Sequence, residues 1–99
     1  MVEAIDELTM NYEEDGVLLV KETGKAVLSK GAWTTIMFRY QNWDKATASY
    51  GKEAYSIRRY QKRGGEYIQK SKFTVSSRDQ AEKIVSTLQQ WLKEEEKKS

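Results

Sequence analysis

The sequence contains no cysteine, no histidine and no proline. Without cysteine and histidine the chain lacks disulfides, a thiol nucleophile, a histidine-based catalytic triad and the usual ligands of structural zinc. Without proline, no turn or kink is fixed by a pyrrolidine ring. We therefore expect a protein that is not an enzyme, binds no metal or cofactor, and is stabilised by packing alone.

Long apolar runs are also missing, because no stretch approaches the roughly 20 residues that a membrane span needs. The first residues, Met1-Val2-Glu3, lack the basic and apolar regions of a signal peptide. The 99 residues, of which 38% are apolar, suit one globular domain with a single core. We expect an intracellular protein, cytoplasmic or nucleoid-associated, that does not bind membranes.

Charge is distributed unevenly along the chain, although the net charge is only +2. Residues 1–15 contain six acids and no base, whereas residues 16–74 contain twelve bases and four acids. This split predicts an acidic N-terminal extension over 1–15 and a basic, strand-rich domain over 16–97. A basic body suggests an anionic partner, usually nucleic acid, although an ordinary lysine-rich surface is the alternative. The acidic extension could then screen the basic face.

Residue patterns predict a sheet followed by one helix. Apolar, β-branched and aromatic runs are typical of strands at 17–20, 26–28, 33–41, 54–62 and 67–75. Gly64 and Gly65 predict a hairpin turn, the Thr23-Gly24 pair a turn or bulge, and the polar residues 42–52 a loop. Residues 1–15 predict a short helix or a tail.

The helix is predicted over residues 77–96, with Ser77 or Ser76 as its N-cap. Its apolar residues between Ala81 and Leu92 follow the spacing i, i+3, i+4, i+7. Trp91 on this stripe would lie in the core or in a dimer interface. The other predicted core residues are the strand residues Phe38, Tyr55, Ile57 and Phe73.

Basic and aromatic residues alternate in the strands, most densely at 39–40, 58–63 and 70–73. Cationic side chains can follow the phosphates of a single strand while exposed rings stack on its bases. The candidate phosphate-binding residues are Arg39, Arg58, Lys62, Lys70 and Lys72, and the stacking candidates are Trp33 and Tyr60. Alternatively, Lys70 and Lys72 protect an edge strand from aggregation, and Trp33 or Trp43 caps the edge of the core.

The order of these residues resembles the positive cofactor 4-like family of transcriptional coactivators over residues 30–92. The segments that carry the resemblance are Lys30-Gly31-Ala32-Trp33, Tyr55-Ser56-Ile57-Arg58-Arg59-Tyr60, the Gly64-Gly65 turn and Lys70-Ser71-Lys72-Phe73-Thr74-Val75. The Pur-type and whirly proteins share this order of strands and helix. The resemblance implies an α+β fold, with a curved antiparallel sheet of four to five strands followed by one C-terminal amphipathic helix.

The resemblance also implies function. It suggests a homodimer, formed partly through the helix, that binds single-stranded DNA or RNA along its outer sheet face without sequence preference and acts in transcription or replication. The alternative is a non-catalytic protein-interaction module whose basic face meets an acidic protein. A small enzyme that uses lysine or tyrosine would instead require a concave pocket with buried titratable groups.

Overall fold

The computed structural model describes residues 4–98, so Glu3 of the predicted acidic extension lies outside the described residues. The elements in chain order are a 3₁₀ turn (Ile5–Glu7), β1 (Tyr12–Glu14), β2 (Val17–Ser29), β3 (Trp33–Asp44), β4 (Ser49–Tyr50), β5 (Ala54–Arg63), β6 (Glu66–Val75) and α1 (Arg78–Lys98). Where the sequence predicts a short helix or a tail, residues 4–15 contain the 3₁₀ turn and the short strand β1.

The strands form one antiparallel sheet in the order β1-β2-β3-β5-β6, and the two-residue β4 pairs with the end of β3. The sheet curls into a half-barrel and is followed by α1. The predicted α+β class, with its curved antiparallel sheet and C-terminal helix, is therefore confirmed.

Irregularities in pairing explain where the strand predictions differ from the structure. β2 is one strand of 13 residues because the register shifts between Glu22 and Gly24 as a bulge, without ending the strand. The predicted loop over 42–52 is wrong in part, because β3 continues to Asp44 and pairs with β4. The Trp43 and Tyr50 rings meet edge-on at 5.1 Å between centroids, and the Tyr50 hydroxyl donates to the Leu18 carbonyl at 2.8 Å.

The two faces of the sheet differ in burial. The face that carries Ile36 and Phe38 is called the core face here, and the opposite face, which carries Trp33 and Met37, is called the open face. Alternate residues of β3 from Thr34 to Tyr40 are buried on the core face. Residues 4–11, called the strap, complete the core there, because Leu8 and Met10 pack with Ile36, Phe38, Tyr40 and Tyr60 in one buried cluster.

The predicted core is only partly correct. Phe38 is fully buried, as predicted, and Tyr55 and Ile57 are half-buried. Phe73 is 53% exposed, so its placement in the core is wrong. The reason is its register: Phe73 pairs with Ile57 on the open face, away from the buried cluster.

Helix α1 begins where the sequence predicts. The Gln80 backbone N–H donates to the Ser77 hydroxyl oxygen at 3.2 Å, which confirms Ser77 as the cap. The helix meets the sheet mainly at β6. Its apolar stripe stays exposed at Val85, Leu88, Trp91 and Leu92, and Trp91, at 60% exposure, is not a core residue of this chain.

Candidate nucleic-acid interface

The predicted binding residues divide between the two faces of the sheet. Directly paired residues on neighbouring strands share a face, so the register gives each side chain its side. Trp33 and Arg39 lie on the open face. The side chains on the core face are those of Arg58, Tyr60, Lys62 and Lys72. Lys70 is the extra residue at an irregularity between β5 and β6. The seven residues therefore do not form one surface.

The two predicted residues on the open face already have partners within the chain. The Arg39 guanidinium forms an ion pair with Glu53 at 2.7 Å and donates to the Thr23 carbonyl oxygen at 2.7 Å. The Trp33 ring is covered by the Arg59 guanidinium, whose central carbon lies 4.3 Å from the ring centroid. These contacts satisfy Arg39 within the protein and leave Trp33 only partly available for stacking.

Arg58, Lys62 and Lys72 lie on the core face at its β5–β6 side, and together with Lys70 of β6 they are called the basic rim here. Arg58 donates to the Gln69 side-chain oxygen at 3.1 Å, which is a neutral acceptor. Lys62 lies over the Tyr67 ring, with its ammonium 5.4 Å from the centroid. Among residues 4–95 the ion pairs are Arg39–Glu53 and Arg78–Glu82, and neither of them involves a base of the rim.

Tyr67, which lies beside the basic rim, is an aromatic residue that is not among the candidates predicted from the sequence. The signal was present in the Gly64-Gly65 turn, where both glycines have positive φ angles of 57° and 82°. A two-residue turn of this kind pairs the residues on either side of it, so Lys62 lies opposite Tyr67. The predicted hairpin therefore already determined that an aromatic ring stands next to a lysine.

A second irregularity changes which residues of β6 share a face. Arg59 pairs with Ser71, but the next residue of β5, Tyr60, pairs with Gln69. Alternation along the sequence predicts that Ile68, Lys70, Lys72 and Thr74 share one face, and this irregularity makes the prediction wrong for Ile68. Lys72 and Thr74 remain on the core face, whereas Ile68 pairs with Gln61 and lies on the open face. All of Lys62, Lys70 and Lys72 are exposed.

Tyr60 does not present its ring to solvent. It is 4% exposed and belongs to the buried cluster that includes Leu8 and Met10. Burial raises the pKa of its hydroxyl above the ordinary value of 10.0, and the neighbouring Arg58 guanidinium opposes that rise. The hydroxyl therefore remains protonated at neutral pH. In this arrangement Tyr60 acts as a core residue, because the strap covers the face on which it lies.

The strap is held on the core face by side chains of β2. The Lys25 ammonium donates to the carbonyl oxygens of Ile5 and Leu8, each at 2.7 Å. The Glu22 carboxylate accepts hydrogen bonds from the Thr9 hydroxyl at 2.8 Å and from the Met10 N–H at 3.1 Å. The strap thus joins the core by the buried side chains of Leu8 and Met10, by the partly buried Ile5 and by a small set of side-chain hydrogen bonds.

The described residues also bear on metal sites, membrane spans and buried titratable groups. Across positions 4–98, three or more carboxylates do not come together in a group that could hold a metal ion. No helix in that range is both long and apolar enough to cross a membrane. The buried titratable side chains in the described part of the chain are those of Tyr40 and Tyr60.

Comparison with known proteins adds no relative. No family model matches the chain, and neither a curated protein nor a solved structure matches it. The function of this chain must therefore be inferred from its own residues, and the resemblance to the positive cofactor 4-like family stays an expectation.

Proposed function

We propose that this protein is a non-catalytic, sequence-tolerant binder of single-stranded nucleic acid, and that the basic rim is where the phosphates bind. The observation that carries the proposal is the basic rim itself, in which exposed cations without bonded carboxylates stand beside the ring of Tyr67. Cations along a groove attract a phosphate backbone, and a neighbouring ring offers a face to any base.

We expect the rim to prefer single-stranded nucleic acid to a duplex, because the rim lies on two β-strands and not on a helix. A duplex hides its base faces, so Tyr67 could not stack on them. Reading the major groove of a duplex commonly uses a helix that presents polar side chains to base edges. The exposed stripe of α1 is apolar and suits packing rather than base contacts.

The open face and α1 suit a second copy of the chain, so we propose a homodimer. Phe73 on the open face and Leu88, Trp91 and Leu92 on α1 are large apolar side chains that the described chain leaves exposed. A helix of 21 residues is about 31 Å long and is only marginally stable without tertiary contacts. A stable interface buries about 800 Å² on each partner, which a stripe of this length together with Phe73 and its neighbours can supply.

Direct titration tests the proposed activity. A fluorescent oligo-dT and a duplex of equal length are titrated with the protein at 50 and 200 mM salt. Four phosphate contacts would weaken single-strand binding by about 50-fold between these salt concentrations, since the slope is about −0.7 per contact. We expect this steep dependence for oligo-dT, and weaker binding of the duplex.

Two other results would contradict the proposal in different ways. Equal affinity for oligo-dT and duplex would reduce the rim to a general basic surface. No binding of either ligand at 50 mM salt would exclude nucleic acid and favour an acidic protein as the partner of the same surface.

A further inference from the structure

We propose that the strap occupies the stacking part of the nucleic-acid site, and that a single strand displaces it to reach Tyr60. This inference rests on the proposed function and extends its site from the rim to the adjoining part of the core face. The strap lies on the same face as Arg58, Lys62 and Lys72 of the rim. Tyr67, beside the rim, packs against the buried cluster that the strap completes.

The surface beneath the strap has the composition of a single-strand platform. It contains the rings of Phe38, Tyr40 and Tyr60. Among the cations of the same face, Lys25 pairs with Phe38 and Arg58 pairs with Ile36. Neighbouring rings and cations are the combination on which successive bases stack while their phosphates are neutralised. With the strap in place, these rings contact Leu8 and Met10 instead.

The carbonyl oxygens of the strap accept hydrogen bonds from a lysine, as the phosphate oxygens of a nucleic-acid backbone would. The Lys25 ammonium takes two backbone carbonyl oxygens of the strap as acceptors, both at 2.7 Å. Phosphate oxygens would accept the same hydrogen bonds and would add a negative charge that a carbonyl lacks. Displacement therefore exchanges neutral acceptors for charged ones at Lys25 and frees its charge for a phosphate.

The strap is held in a way that permits exchange. Residues 8–11 lie outside the strands, so this part is not joined to the sheet by a ladder of backbone hydrogen bonds. Its connections to β2 run through side chains: the Glu22 carboxylate accepts from Thr9 and Met10, the Lys25 ammonium donates to two strap carbonyls, and the Asn11 side-chain oxygen accepts from the Glu22 N–H. Side-chain hydrogen bonds contribute modestly to stability, and segments held by few contacts open more readily than the strands of a core.

Displacement makes affinity depend on how often the strap opens. If a strand binds the full site only when the strap has left, the apparent dissociation constant equals the intrinsic constant divided by the open fraction. Weakening the strap must then tighten binding. We would compare the double variant Thr9→Val/Glu22→Gln with the wild-type protein. The variant removes the hydrogen bond between Thr9 and Glu22 and replaces the charged acceptor of the Met10 N–H with a neutral one, while the bonds donated by Lys25 remain.

The matched control is Glu66→Gln, which removes the same single negative charge from β6, the strand that carries Lys70 and Lys72, and breaks no hydrogen bond of the strap. We expect oligo-dT to bind the double variant about tenfold more tightly than wild type, since hydrogen bonds to a charged group are lost from the closed form only. The control should change affinity by less than about twofold. Equal gains in the two variants would mean a general charge effect and would overturn the displacement.

Hydrogen exchange in the wild-type protein gives a second readout that does not depend on any variant folding. The Met10 amide is protected by its bond to Glu22 at 3.1 Å. Saturating oligo-dT should speed its exchange, measured by NMR, by roughly tenfold, because displacement breaks this bond. Unchanged exchange in the presence of bound oligo-dT would overturn the displacement and leave the proposed function intact. If oligo-dT binds neither the wild type nor the double variant, the proposed function itself fails.

Discussion

At the scale of single residues, two tyrosines of neighbouring strands show that burial decides which aromatic ring is accessible. Tyr60 and Tyr67 both lie on the core face, but Tyr60 is buried under the strap whereas Tyr67 is partly exposed beside Lys62. The flanking bases Arg58 and Lys62 make Tyr60 the better stacking candidate in the sequence. The strap reverses this order, since it buries the ring of Tyr60 while the ring of Tyr67 stays partly exposed.

Lys72 gives the sharpest test of the rim at this scale. It is exposed, pairs with Arg58 across the strands and has no bonded carboxylate among residues 4–95. We expect Lys72→Ala to weaken oligo-dT binding roughly three- to fivefold at 50 mM salt. Loss of one phosphate contact should also reduce the salt slope by about 0.7.

The control for Lys72 is Lys83→Ala, which removes an exposed lysine from α1 and changes the net charge equally. Titrations with fluorescent oligo-dT at several salt concentrations measure both variants. An unchanged slope for Lys72→Ala, or an equal loss in both variants, would exclude Lys72 from the phosphate-binding set.

At the scale of elements, α1 differs from the sheet in what stabilises it. Its cap is well defined, and its Arg78 guanidinium pairs with Glu82 at 2.8 Å, but both of those side chains are exposed and the pair adds little stability. A groove lined by Tyr55, Ala81 and Val85 lies between the first turns and β5. The apolar side chains of Leu88, Trp91 and Leu92 beyond these turns stay exposed.

The double variant Leu88→Glu/Leu92→Glu tests whether a second copy of the chain covers these side chains. Two charges on adjacent turns of the stripe would be buried in the interface, which strongly disfavours association. We expect the wild-type chain to have about twice its 11.5 kDa mass by light scattering after size-exclusion chromatography, and the variant to be monomeric.

A matched control places the same two charges elsewhere on α1. Ser86→Glu/Gln90→Glu has the same spacing and net charge but lies away from the stripe, so it should remain dimeric. A monomeric wild-type chain would contradict the homodimer, as would dissociation of both variants alike.

At the scale of the whole molecule, the fold divides the acidic extension. Glu13 and Glu14 lie on β1, at the opposite edge of the sheet from β6 and its lysines. Asp6 and Glu7 lie in the strap, on the same face as the basic rim. Of these four acids, Asp6 and Glu7 are therefore the ones in a position to screen the rim.

Neutralising the two pairs separately tests this screen. Asp6→Asn/Glu7→Gln should tighten oligo-dT binding about two- to threefold at 50 mM salt, and the gain should shrink at 200 mM, where exposed charges are screened within about 7–8 Å. Glu13→Gln/Glu14→Gln removes as much charge from the far edge and should have a smaller effect. Equal gains from the two pairs would show that only net charge matters.

Much of this fold could be predicted because its signals are local. The β3 and β5 strands, the Gly64-Gly65 turn and the Ser77 cap each follow from neighbouring residues, through alternation, positive φ and a capping hydroxyl. The misplacements of Ile68 and Phe73 share a different origin. Both depend on pairing register and on which face is covered, and these are properties of several strands at once.

The sequence by itself determined that a sheet precedes one C-terminal helix, the basic character of β5 and β6, and the exclusion of thiol and imidazole chemistry. Only the tertiary structure decided which side chains share a surface. It put Trp33 and Arg39 on one face and Lys62 and Lys72 on the other, and it brought the strap over Tyr60. The reason is that strand order, bulges and the packing of a distant segment join residues far apart in the chain, and local pattern does not encode those distances.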